Sequence, residues 1–208
     1  MPNDIEQSLE DLGVQEFDRE IFSMSKAKLL ENFSYQSGTF NYVRCIRNLI
    51  WQDYQSLQVG ELELALGNIR SYWYARTKPV LSRAKVKDLS KKYDTMINQF
   101  VAMVVDHRLL DYGDFDFADH NQNNRVIGTE HRHIFCVAEK EGHFPLLQQL
   151  HRDYDITVTA LGGQPSALSS EYLLRELNQS GFTATEPVPL FTVVDYDPAG
   201  HSIARSFI

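Results

Sequence analysis

Apolar side chains recur three to four residues apart through roughly the first 110 residues, then change to short unbroken runs that alternate with single helical stretches. Residues 4–33 carry Ile5, Leu9, Leu12, Phe17, Ile21, Phe22, Leu29 and Leu30 at helical spacing, before an interruption at Gly38. Val43, Ile46, Leu49, Ile50 and Trp51 predict a helix over 42–54. Gly60 opens a segment that runs through Leu64 and Leu66 to Asn68-Ile69-Arg70-Ser71-Tyr72-Trp73-Tyr74, and Pro79 ends or kinks the stretch after it. Met96, Ile97, Phe100, Val101, Val104 and Val105 give 93–110 one apolar face. The turn-rich stretch DYGDFDFADHNQNNRVIG comes next, with short extended pieces. Residues 60–127 are therefore expected to form a small, mainly helical unit with a β-hairpin wing, after an N-terminal helical extension over 1–59.

From about residue 130 the period changes. Ile134–Ala138 reads as a short buried strand ending at Glu139, and Phe144, Leu146, Leu147 and Leu150 give a helix. Ile156–Ala160 is the next strand, ending in LGGQPS, and Ser170–Leu177 the next helix. Pro189–Val194 is a third apolar run, and a helix starts near Gly200. Strand and helix in strict alternation predict a parallel, Rossmann-like α/β sheet over 128–208. The class expected is α/β, or α+β over the whole chain.

The strand ends carry the candidate chemistry. Asp195 closes the last apolar run, and Asp197 follows two residues later on a turn made by Pro198 and Gly200. Glu139 closes an earlier run in the same sheet. Open α/β sheets place ligands at the carboxyl ends of their strands. Three carboxylates meeting there would repel one another, and a bound Mg²⁺, which prefers hard oxygen ligands, relieves that repulsion. The plainer reading is a set of solvated strand-end acids.

Composition changes this picture at one point. The 208 residues are 43% hydrophobic and 23% charged, ordinary values for a globular chain, and no apolar run reaches the ~20 residues that span a bilayer. No signal peptide is visible in the acidic start MPNDIEQSLEDL, and Cys45 and Cys136 read as reduced core residues. Net charge is −8, which argues against nucleic acid, but residues 70–92 hold eight basic side chains against Asp88 alone. That window carries +7 and the remainder −15. Such asymmetry suits a polyanion-binding face on an acidic protein, with a solvated helix face as the alternative.

The segments IFCVAEKEGHF, TALGGQPS and FTVVDYDPAG resemble, in order and spacing, the three signature segments of the Toprim domain. Glu-Lys-x-x-x-Phe, then Gly-x-Pro, then Asp-x-Asp-Pro-x-Gly is most similar to the A subunit of topoisomerase VI and its relative that makes meiotic double-strand breaks. The resemblance covers roughly 60–208. It implies that Glu139, Asp195 and Asp197 bind Mg²⁺, with Glu141 as an outer candidate, and that Gly163 and Pro165 shape the adjacent loop. It also implies a winged-helix domain over 60–127 holding an Arg-x-x-x-Tyr motif, matched here by Arg70 and Tyr74, where the tyrosine attacks DNA.

The residues support Tyr74 on their own. Positions i and i+4 share a helix face, so Arg70 can meet Tyr74 while Tyr72 points away. A free phenol has a pKa near ~10, and a neighbouring guanidinium would stabilise the phenolate. An aromatic core stripe is the bland alternative for Tyr72-Trp73-Tyr74. The basic window then falls to the DNA backbone, with Arg76, Lys78, Arg83, Lys85 and Lys87 as candidate phosphate contacts.

The implied reaction is double-strand cleavage through a 5′-phosphotyrosyl link. The family resemblance adds a homodimer in which one protomer's tyrosine works with the other's carboxylates, and an ATP-driven B subunit as partner. It implies no membrane, and a cytoplasmic or nucleoid location in a prokaryote or a nuclear one in a eukaryote. Ser169-Ser170 stand where the family often has Thr-Arg, so one basic DNA contact is expected to be missing, and with the chain ending at Ile208 a truncated Toprim domain or a minimal variant is expected. His107, His143 and His201 are possible bases, and His131 with His133 read as polar residues entering a strand. Two other readings stay open: a Toprim nuclease that hydrolyses DNA without a covalent intermediate, and a non-catalytic DNA-binding subunit.

Overall fold

In the computed structural model, residues 2–64, 67–162, 166–183 and 187–205 are described. They form two compact units, residues 1–118 and 119–208. Residues 1–59 thus belong to the same unit as the later helices, and 119–127 join the sheet.

The first unit is helical: α1 (Pro2–Asp11), α2 (Lys26–Phe33), α3 (Tyr42–Gln58), α4 (Ile69–Tyr72), α5 (Lys78–Arg83) and α6 (Lys92–Val101). Side-chain caps fix several starts. Ser25 accepts from the Lys28 N–H, Asn41 from the Arg44 N–H and Asn68 from the Ser71 N–H. A π-helical turn, Trp73–Thr77, joins α4 to α5, and a second one, Ala102–Asp106, extends α6. The core gathers Ile21, Leu29, Phe33, Cys45, Leu49 and Val80 from α2, α3, α5 and the turn before α2. Tyr72, Phe100, Phe115 and Phe117 make a second, aromatic cluster with edge-on ring contacts. Burial of a side chain of this size contributes about 1.5–3 kcal/mol.

The expected β-hairpin wing does not appear among the described residues of 60–127. Asp111 and Asp114 form a reciprocal cap around the 3₁₀ turn Tyr112–Phe115, and Tyr112, Phe115 and Phe117 are buried. Aromatic burial thus draws that stretch into turns against the helices, not into a ribbon. Its last residues, Arg125–Val126, are strand β1 of the second unit.

The second unit orders its strands β1-β3-β2-β4, with β2 (His131–Ala138), β3 (Ile156–Ala160) and β4 (Leu190–Val193). β2 pairs parallel with both β3 and β4, while β1 runs antiparallel to β3. The sheet is therefore mixed, and the parallel sheet expected from the alternation holds for three of the four strands. β1 lies where it does because Arg125, itself buried, is gripped by Asp119 and bonded at 2.9 and 2.8 Å to the Glu176 carboxylate on α8 (Ala167–Gln179). Alternation along β2 splits the core. Cys136 and Ala138 pack with Leu147 of α7 (Phe144–Tyr154), and Val137 packs with Ile203 of α9 (Pro198–Arg205) on the other face. No helix among the described residues is long and apolar enough to cross a membrane.

Candidate functional site

The carboxylate edge follows from strand register. β2 and β4 are neighbours, with Ala138 opposite Val193, so Glu139 and Asp195 emerge from the same end. The Glu139 N–H donates to the Val193 carbonyl at 2.9 Å, and the Asp195 N–H donates to Glu139 Oε2 at 3.1 Å. Asp197 sits before α9 and accepts the Gly200 N–H at 2.8 Å on Oδ1. Gly200 is required there, because any Cβ would run into the Asp195 carbonyl. Sequence reasoning thus brings Glu139, Asp195 and Asp197 to one edge, and the structure places all three there.

It also places a residue that sequence reasoning passed over. Lys140 Nζ donates to Asp195 Oδ2 at 2.6 Å. Its pKa is raised, first by that hydrogen bond, then by the charge of Asp195 and, beyond it, of Glu139 and Asp197. The visible signal was its position next to Glu139 in a segment already singled out. Lys140 also bridges Gly162, where the Glu141 carboxylate lies 3.1 Å from the place a Cβ would occupy. Gly163 and Pro165 lie outside the described residues. Ser169 is buried at the start of α8, where it takes part in the cap with Ser166.

The donor set fits a hard divalent cation: three carboxylates at one edge, already attracting an ammonium. In this arrangement an oxygen of each is occupied, by the Asp195 N–H, by Lys140 and by the Gly200 N–H. As they stand, no group of three or more acidic, histidine or cysteine side chains among the described residues is placed to hold a metal ion.

In the first unit, Tyr74 lies on the π-helical turn and is 52% exposed, while Tyr72 is fully buried. The ammonium of Lys78 stands 4.9 Å from the Tyr74 ring centroid. Partial burial raises the pKa of Tyr93, the charge of Arg70 lowers it, and Asp94 and Tyr74 raise it. The Tyr93 ring meets Trp73, the neighbour of Tyr74 in the chain, edge-on at 5.9 Å. Tyr93 was not legible as a member of this surface, since it comes from a different helix.

The five candidate phosphate contacts divide. Lys78, Lys85 and Lys87 are exposed. Arg76 bonds Asp53 through Nε at 2.9 Å and Nη2 at 2.5 Å, and its guanidinium lies 3.9 Å from the Phe22 ring centroid. Arg83 donates to the carbonyls of Phe22 at 2.6 Å and Met24 at 3.0 Å. These two arginines hold the core together. Of the histidines, His131 and His133 are exposed on β2, and His201 meets the Tyr196 ring at 5.3 Å.

Comparison with family models, with curated proteins and with solved structures finds no match to this chain.

Proposed function

We propose that this chain is a Mg²⁺-dependent, DNA-cleaving transesterase of the winged-helix and Toprim kind, with Tyr74 as nucleophile. The observation that carries the reading is that Glu139 and Asp195 leave the carboxyl ends of two neighbouring parallel strands, joined by the Asp195 N–H on Glu139, with Lys140 on Asp195 and Asp197 two residues further on. The winged-helix part rests on the helices bearing Arg70 and Tyr74, not on a wing.

Tyr74 Oη attacks a backbone phosphorus in line, the bond to the 3′ oxygen breaks, and the tyrosyl proton is matched by one gained at the departing 3′-hydroxyl. The 5′ phosphate stays on the tyrosine. Lys78 stands over the ring of the exposed Tyr74, and it and Arg70 would offer positive charge to the phosphate. Glu139, Asp195 and Asp197 would hold Mg²⁺, which supplies charge neutralisation at the phosphate and the leaving oxygen. Double-stranded DNA is the substrate, and a second copy and an ATP-driven subunit are the partners this reading calls for.

Hydrolysis without a covalent link is the second reading, because Glu139, Asp195 and Asp197 all lie within residues 119–208 and would act without Tyr74. Supercoiled DNA with Mg²⁺, denatured in detergent, separates the two. Protein attached to 5′ ends in wild type, lost in Tyr74→Phe and in Glu139→Ala, is the expected result. Cleavage that survives Tyr74→Phe but not Glu139→Ala assigns hydrolysis instead.

A further inference from the structure

The edge formed by β2 and β4 contains a cation of the protein's own, and its geometry suits exchange. Lys140 Nζ lies 2.6 Å from Asp195 Oδ2, with the lysine side chain 54% and the aspartate 45% exposed. Ion pairs this exposed are weak, so a divalent ion at the same oxygen can displace the ammonium. The lysine backbone, by contrast, is pinned. Lys140 bridges Gly162, its carbonyl accepts the His143 N–H at 3.0 Å, and the Leu161 N–H donates to Ala138 beside it at 2.8 Å. A fixed backbone with a flexible four-carbon stem lets the charge leave Asp195 without moving a strand.

We propose that Lys140 is an exchangeable counter-ion of the carboxylate edge: its ammonium neutralises Asp195 while metal is absent, and Mg²⁺ takes Asp195 from it. This rests on the edge being the Mg²⁺ site of the proposed transesterase. Without the lysine, an empty site would set Glu139, Asp195 and Asp197 against one another. With lysine and Mg²⁺ on the same carboxylate, the two cations would repel. Metal binding therefore swings the ammonium outward, and the competition lowers the metal's apparent affinity. The displaced lysine then offers three donors to an anion at the same edge, and does so only once metal has arrived.

Lys140→Met keeps the stem and removes the charge at an exposed position, so the fold is retained. Calorimetric titration with Mg²⁺ is expected to show binding roughly three- to tenfold tighter in Lys140→Met than in wild type, and weakened binding in Glu139→Gln. In wild-type protein carrying ¹³C-methylated lysines, the Lys140 resonance, assigned by its absence in Lys140→Met, is expected to shift in step with Mg²⁺. In Glu139→Gln it is expected to stay put at the same concentrations. Equal or looser Mg²⁺ binding in Lys140→Met, with binding still dependent on Glu139, overturns the lysine's role and leaves the metal site standing. Absence of any Glu139-dependent Mg²⁺ binding, in wild type and in Lys140→Met alike, overturns both.

Discussion

Two tyrosines separated by one residue have opposite environments, and their difference is testable residue by residue. Tyr72 is fully buried and donates to Asp53 Oδ2 at 2.7 Å. Burial, then the Asp53 charge, pushes its hydroxyl well above the ordinary phenol range, which removes it as a nucleophile. Tyr72→Phe leaves Asp53 short of a donor and is expected to cost about 1–3 kcal/mol in urea unfolding while the covalent DNA product persists. Tyr74→Phe is expected to shift stability by no more than about 0.5 kcal/mol and to abolish that product. Arg76→Ala leaves the Asp53 carboxylate buried without its cation, and a loss of about 3–5 kcal/mol is expected from the same unfolding measurement. Loss of the DNA-linked product in Tyr72→Phe at unchanged stability would overturn the assignment of Tyr74. Burial also pushes the Cys45 thiol up to about 12, in keeping with a core residue.

At the scale of elements, one helix end carries a pH-dependent clamp. Asp155 closes α7 in the left-handed region at φ 49°, and its carboxylate accepts from the Thr129 hydroxyl at 2.6 Å and from the N–H groups of Thr129 and Glu130. Those bonds, led by the Thr129 hydroxyl, lower its pKa to about 2. A depressed carboxylate stabilises the fold above its unfolded value of about 3.9, and that contribution is lost as pH falls toward the folded value. Stability measured by urea unfolding is therefore expected to drop between about pH 4 and 2. Asp155→Asn, which tolerates the left-handed backbone, is expected to flatten that drop. Elements of this kind were legible to different degrees. The strand Ile156–Ala160 and the helix from Phe144 could be read from period alone, because their apolar faces meet one core. The acidic edge was legible too, since strand alternation fixes which residues leave the sheet together. The wing was not, because Phe115 and Phe117 alternate with Asp114 and Asp116 as a strand would, yet with Tyr112 they pack on Tyr72 and Phe100. Nor was the role of Arg76, whose partner Asp53 lies on another helix and gives no local signal.

At the scale of the whole molecule, the question is how a chain of net charge −8 would hold DNA. The −15 carried outside residues 70–92 repels a polyanion at long range, but at 0.1 M salt that repulsion is screened beyond ~10 Å. Close contacts survive, so the +7 window decides binding. Inside it, Arg76 and Arg83 are committed to Asp53 and to the carbonyls of Phe22 and Met24, whereas Lys78, Lys85 and Lys87 face solvent. Each phosphate contact contributes about −0.9 to the slope of log K against log salt. Lys85 sits at φ 62° where α5 ends, with its N–H on Ser82 and the Val86 N–H on Leu81, so asparagine is the substitution that keeps the turn. The double change Lys85→Asn with Lys87→Ala is expected to flatten the slope by about 1.8 in fluorescence anisotropy above 0.1 M salt, with thermal stability nearly unchanged. Arg83→Met is expected to do the reverse, lowering the melting temperature and leaving the slope alone. An unchanged slope in the lysine pair would mean that DNA does not use this face, and the charge asymmetry would then be a solvated helix surface.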